Sequence, residues 1–287
     1  MKKRNNKLLY FVTVCMVMII AFFVNVATPK AIMHDFTNYY GVTITNEQYM
    51  RLLNLGFDYD QIYYMTEDIF NENKDLVGTL VSREQRYYKT VYPTYGNSYT
   101  VEVTADEYYN HENGDELLGS ITTNYKTLIS SISSVGSLYR FNSTLSWNNI
   151  PSVKSYDVQA IGFTGPVHID SAFTFYYTYA NSSGVSTTSY DYFTKQYFST
   201  GGSTTFKLPS SFIGLTSTMY FNVAKDSGAG TITSLHMCAD YAHATTTVTG
   251  NQAASHSVTV GGISFGSSVE NKFDSMPCAD SYLAVNW

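Results

Sequence analysis

Ser234, His236, Cys238, Asp240 and His243 fall within ten positions of one another, so a hydroxyl, two imidazoles, a thiol and a carboxylate crowd one short stretch. A hydrolase needs a nucleophile, a general base and an acid that orients the base. Ser234, His236, Asp240 and His243 supply those types. No Gly-x-Ser-x-Gly elbow accompanies them, and a Ser-rich strand produces such crowding by chance. A structural role is therefore the leading expectation, with no catalytic residue assigned, and a secreted hydrolase using this region is the alternative.

Cysteine offers a second chemistry. Cys15 lies in the apolar N-terminal run and lacks a lipobox lead, which leaves Cys238 and Cys278 in a processed chain. In an exported protein such a pair reads as a disulfide. It would close a loop of about 40 residues and stabilise the fold by about 3–4 kcal/mol. His236, Cys238, His243 and Cys278 also make up a two-Cys, two-His zinc donor set. The His236-x-Cys238 spacing matches no standard structural motif, so no metal and no cofactor are expected.

Two acidic stretches carry less. Asn71, Glu72, Asn73, Lys74 and Asp75 offer oxygen ligands, but an EF-hand wants Asp, Gly and Glu at its first, sixth and twelfth places. Asn71, Leu76 and Ser82 stand there. Residues 104–119 bring together Asp106, Glu107, His111, Glu112, Asp115 and Glu116, and read as a solvated acidic loop.

The elements that must position these groups follow from periodicity. Met219, Phe221 and Val223 alternate with polar residues, as in a half-buried strand. Asp226–Gly230 supplies a turn and 231–248 runs on as strand, so 218–248 reads as a β-hairpin at the centre of a larger sheet. Strands are also expected at 79–92, 98–103, 172–179, 188–198, 204–208, 257–260 and 282–287. Tyr125–Val135 reads as a short helix or a Ser-rich connector. Upstream, Thr45 with Gln48 and Asp58 with Gln61 form capping boxes, and Thr66 leads a third short helix. Residues 45–75 thus read as two or three short helices, too small to hold a core alone, that dock on the β domain or on a partner.

The N-terminus is an export signal. Lys2, Lys3, Arg4 and Lys7 precede an apolar run of 17 residues from Leu8 to Val24, and small residues follow. Residues 1–27 are read as a signal peptide, with an uncleaved membrane anchor over residues 8–26 as the alternative. The short Lys-rich start points to a bacterium of Gram-positive type. Removing 1–27 takes away four of 17 basic residues and none of the 23 acids, leaving a charge near −10. That excludes the basic footprint a nucleic acid requires and argues against docking on anionic lipid.

Residues 145–158, LSWNNIPSVKSYDV, resemble the second and third strands of a fibronectin type III module. IGLTSTMYFNVAKDSGAG (213–230) is similar to a later strand of that family. The resemblance implies an immunoglobulin-like sandwich with a Trp147-centred core and no active site. LLNLGFDYDQIYYMTEDIFNENKDL resembles a segment of uncharacterised exported proteins of Gram-positive bacteria and implies no activity.

The expected fold is mainly β: an immunoglobulin-like β-sandwich with a small N-terminal helical segment, α+β overall. The expected organisation is a short-helix segment at 32–78, a β-rich connector with the acidic loop at 79–137, and the sandwich at 138–287. The expected function is an exported, non-enzymatic binding module. Its 26 Tyr, with Ser, Thr, Asn and Gly, suit polar and adaptable contacts with an extracellular glycan, cell wall or protein. A third reading, a membrane-active β protein built on 186–206 and 243–261, ranks last because those stretches are too polar for a barrel wall.

Overall fold

The computed structural model describes residues 34–92, 98–110, 122–148, 151–188 and 191–287. The signal or anchor segment, Cys15, the turn at 93–97 and the part of the acidic loop with His111 lie outside the described residues. Among those described, no helix is long and apolar enough to cross a membrane.

The described residues start with a small ribbon, β1 (Phe36–Thr37) and β2 (Thr43–Ile44), followed by α1 (Asn46–Asn54), α2 (Tyr59–Tyr63) and α3 (Glu67–Asn73). Both expected capping boxes are formed. Thr45 and Asp58 accept from the backbone of Gln48 and Gln61, whose side chains reach back to the cap amides. Then come β3 (Gly78–Tyr92), β4 (Tyr99–Val103), α4 (Ala105–Asn110), β5 (Thr122–Val135), β6 (Leu138–Trp147) and β7 (Tyr156–Thr164). After these run β8 (Val167–Ile169), β9 (Thr174–Asn181), β10 (Gly184–Thr188), β11 (Thr194–Phe198), β12 (Gly201–Lys207) and β13 (Gly214–Lys225). The chain ends with β14 (Ser234–Ala244), α5 (Gly250–Ala253), β15 (His256–Thr259), β16 (Gly262–Phe265), β17 (Phe273–Ser275) and β18 (Ala279–Ala284).

These strands build a β-sandwich of antiparallel sheets. The larger sheet has eight strands in the order β10-β9-β13-β6-β5-β3-β4, with β8 also paired to β13. The smaller has six, in the order β11-β12-β7-β14-β17, with β18 also paired to β14. Phe141, Leu145, Trp147, Met219 and Phe221 of the larger sheet meet Ile161, Phe163, Met237, Ala239 and Tyr241 of the smaller in one apolar core. Trp147 is fully buried there, as the fibronectin-like segment implied.

Three local expectations are corrected. The start of the expected acidic loop is helical: Ala105–Asn110 form α4, with Asp106 and Glu107 in its first turn and Tyr108 buried. Residues 218–248 do not form a hairpin, because β13 lies in one sheet and β14 in the other. Met219, Phe221 and Val223 face the core from one side and Leu235, Met237 and Tyr241 from the other, so the 226–233 segment passes between sheets instead of closing a ladder. Tyr125–Val135 is neither helix nor connector but most of β5, paired along its length to β3 and β6. Leu128, Ile129 and Ile132 fit a helical stripe as well as a strand. The pairing with two long neighbours decides for the strand.

The three N-terminal helices lie on the outer face of the larger sheet. Leu52, Leu55, Phe57, Ile62 and Met65 form a second core with Tyr176 and Tyr220, the outward residues of β9 and β13. Gln61 donates to Thr144 Oγ1 at 3.0 Å and Thr218 Oγ1 at 2.6 Å. Asn73 donates to Tyr220 Oη at 2.8 Å. The outer face of the smaller sheet is covered by α5 and the β15–β16 hairpin, with Val158, Ala242, Ala244 and Val248 beneath them. At Gly162 the hairpin backbone at Thr259 comes so close that a Cβ has no room.

Candidate functional site

β14 carries Ser234, His236, Cys238, Asp240 and His243, and its alternation separates them. Tyr241 and His243 point into the sandwich, where both are fully buried. His236, Cys238 and Asp240 point outward. Ser234 and Asp240 sit six residues apart on an extended strand, about 20 Å of chain at the usual rise per residue. The four hydrolase candidates therefore do not converge. His243 likewise lies on the opposite face from His236 and Cys238, so the two-Cys, two-His donor set is not assembled either.

On the outer side, Cys238 and Cys278 form a disulfide with Cα atoms 5.6 Å apart, within the normal span for such a bond. It ties the segment between β17 and β18 to β14. Asp280 stands beside it, 3.2 Å from His236 Nε2 and 3.8 Å from Arg86 Nη2. With both sulfurs in the bridge, no thiolate is available to a metal there. Asp240 is buried further along, where its carboxylate accepts from the backbone of Ile263 at 2.6 Å and Tyr241 at 2.7 Å. Burial pushes its pKa up to about 7.

On the inner side a polar cluster interrupts the core. His243 Nδ1 lies 2.9 Å from Asp157 Oδ2, and Asp157 Oδ1 accepts from the Ala244 amide at 2.9 Å. Tyr241 donates to Asp157 and accepts from Trp147 Nε1 at 3.0 Å. Lys126, reaching across from β5, places Nζ 4.7 Å from the centre of the Trp147 ring and 3.7 Å from Asp274 Oδ2. Sequence reading passed over Lys126, Asp157 and Asp274. The available signal was a lysine in phase with Leu128 and Ile132, inside an apolar strand face.

The surface feature that stands out is aromatic. Tyr39 and Tyr40 cross at 5.2 Å, Tyr39 meets Tyr64 at 5.2 Å, and Tyr63 meets Tyr64 at 4.8 Å. Tyr59 and Tyr63, one helical turn apart on α2, stack at 5.9 Å with their planes 12° from parallel. Tyr39 and Tyr59 are each 45% exposed. These rings are held firmly. Asn38 is buried and donates to the Met65 carbonyl at 2.7 Å, while its Oδ1 accepts from the amides of Tyr40 and Val42. The Tyr39 amide donates to the Tyr63 carbonyl at 3.0 Å, and Gly41 turns the chain with φ +83°.

Beside the rings, Asp60, Tyr64, Tyr179, Val185 and Thr216 line a cavity of about 30 Å³. It has room for about one water, so a larger ligand would have to bind across the rings. Burial, reinforced by the neighbouring Asp58, pushes the Asp60 pKa up to about 7. This patch thus combines fixed, half-exposed ring faces, phenol hydroxyls and a carboxyl group that can donate or accept near neutral pH.

No protein-family model matches the chain, and no curated protein does. Similar solved structures include the pilus backbone RrgB of Streptococcus pneumoniae, at 11% identity and a TM-score of 0.28, over 39% of this chain and 43% of that one. The chain therefore spans less than half of that protein's length. The collagen-binding domain of the Erysipelothrix rhusiopathiae surface protein RspB is similar at 9% identity and a TM-score of 0.27, over 57% of this chain and 66% of that one. The RrgA Jo.In complex is similar at 11% identity and a TM-score of 0.32, over 68% of this chain and the whole of that one.

Proposed function

We propose that the protein is an exported, non-enzymatic binding module that holds an extracellular glycan, such as a cell-wall polysaccharide, on the tyrosine patch of its N-terminal segment. The observation that carries this reading is the fixed array of Tyr39, Tyr40, Tyr59 and Tyr63, the first three exposed and Tyr63 half-buried, beside the Asp60 carboxyl. Sugar rings offer apolar C–H faces to aromatic rings and hydroxyls to carboxyl and phenol groups, so the patch suits both parts of the ligand. Tyr contributes a large contact area at small entropic cost, and a preformed patch loses little freedom on binding. The Lys-rich apolar leader supports export, and the disulfide suits an oxidising compartment.

The test is retention of the protein on insoluble cell wall and on a glycan panel. Saturable retention that falls at least tenfold in Tyr39→Ala and Tyr59→Ala, with unchanged unfolding midpoints, supports the reading. Retention that is indifferent to both substitutions, or none on any glycan or wall, removes it.

A further inference from the structure

Lys126 is an anomaly that the binding role does not explain. Its side chain is 0% exposed, and Nζ has no hydrogen-bond partner among the described residues. A buried ammonium left in that state is strongly destabilising. Its surroundings are the Trp147 and Tyr241 rings, with Nζ 4.7 Å and 5.9 Å from the centroids, and the Asp274 carboxylate at 3.7 Å. Asp274 is itself buried. Its Oδ2 accepts from Thr90 Oγ1 at 3.2 Å and from Thr100 Oγ1. Asp157 is held beside the cluster by Tyr241, His243 and the Ala244 amide.

We propose that Lys126 and Asp274 condense into an intramolecular amide, a covalent staple between β5 of the larger sheet and β17 of the smaller. Nζ bonds to the Asp274 carboxyl carbon and the bond from that carbon to Oδ1 breaks. Of the three ammonium protons, one stays on the amide nitrogen. The other two leave with Oδ1 as one water molecule. An ammonium and a carboxylate thus become an amide and water, and no oxidant, activating group or outside reagent is required. Oδ2 becomes the amide oxygen and keeps its Thr90 and Thr100 donors, which also hold the negative charge that grows on it as the tetrahedral intermediate forms.

Three features favour the reaction. Nζ is held 3.7 Å from Asp274 Oδ2 inside the core, so the amine and the carboxylate it attacks are already neighbours. Burial lowers the Lys126 pKa to about 8, against the opposing fields of Asp274, Asp157 and Asp240, so the neutral amine is within reach near neutral pH. Condensation also removes both buried charges together, and with them the desolvation cost that the ion pair bears. Asp157 lies close enough for its charge to act on Lys126, and its own carboxylate is fixed by Tyr241, His243 and the Ala244 amide.

The experiment is mass spectrometry of the full secreted chain after reduction of the disulfide and denaturation. The expected mass is one water below that of the linear sequence. Proteolysis is expected to yield a branched peptide joining Lys126 to Asp274, with no cleavage by trypsin after Lys126. Lys126→Arg and Asp274→Ala are each expected to restore the linear mass. Full linear mass in the native protein, with an ordinary tryptic cleavage after Lys126, would overturn the proposal. So would a branch placed at Asp157 or any other acid.

Discussion

Gln61 donates its side-chain amide to Thr218 Oγ1 across 2.6 Å, so the residue that closes the capping box of α2 also anchors that helix to the outer face of β13. One side chain thereby links local helix initiation to the docking of the whole N-terminal segment. The same helix carries Tyr59 and Tyr63, so the orientation of the ring patch depends on this bond.

Gln61→Ala is expected to destabilise the protein by about 2 kcal/mol, through the lost cap and the unpaired hydroxyls of Thr144 and Thr218. Urea unfolding followed by tyrosine fluorescence measures it. A change under about 0.5 kcal/mol, the level of an ordinary surface substitution, would show that the segment docks by apolar packing alone.

Trp147 fills the centre of the sandwich and donates to Tyr241. Trp147→Ala is expected to cost about 3–5 kcal/mol, since it leaves a large cavity between the sheets. Trp147→Phe should be milder, because it keeps most of the volume and removes only the N–H donor. Thermal unfolding of the pair separates packing from hydrogen bonding. Equal losses in both would assign the effect to the hydrogen bond.

Reduction of Cys238–Cys278 is expected to lower stability by about 3 kcal/mol, since the bridge closes a 40-residue separation. Cys278→Ser should reproduce the loss without reductant. The check is the denaturation midpoint with and without reductant, which should differ in the native protein and coincide in the variant.

Asp60 sets a pH dependence. Its folded pKa is raised from 3.8 to about 7, chiefly by burial. The folded state therefore holds a proton that the unfolded chain releases near pH 4. This contribution to stability is fully present below that pH and is lost as pH rises through about 7. Asp60→Asn cannot ionise, so its stability should fall less between pH 5 and pH 8 than that of the native protein. Denaturation midpoints at the two pH values test the sign. A native protein that gains stability over that interval, with no difference in the variant, would contradict it.

Much of the helical segment was legible because its signals are local. Thr45 with Gln48 and Asp58 with Gln61 each complete a hydrogen-bonded box within four residues, and no distant partner alters that geometry. Strand identity along β13 was equally plain from Met219, Phe221 and Val223. The pairing of strands was not. A strand such as β7 buries Val158 and Ala160 on one side and Asp157, Gln159 and Ile161 on the other, so alternation does not say which face meets the opposite sheet.

The tyrosine patch and the Lys126 cluster were hidden for a related reason. Tyr39 meets Tyr64 through a turn held by Asn38, a residue with no distinguishing neighbours in the sequence. Lys126, Asp157 and Asp274 come from β5, β7 and β17, and nothing in the spacing of single charged residues on separate strands brings them together.

What the sequence by itself determined was the mainly β class, the capped helices, the pairing chemistry open to Cys238 and Cys278, and a net negative charge. Those follow from periodicity of two, from contacts within one turn and from net charge, which are properties of neighbouring residues or of composition. The tertiary structure alone decided that β13 and β14 belong to different sheets, that His243 turns away from His236, and that a desolvated lysine faces an aspartate across the core. Each of these depends on strand order and on which face is inward. Those are fixed only when the two sheets close on a shared interior and remove the water that would otherwise separate the groups.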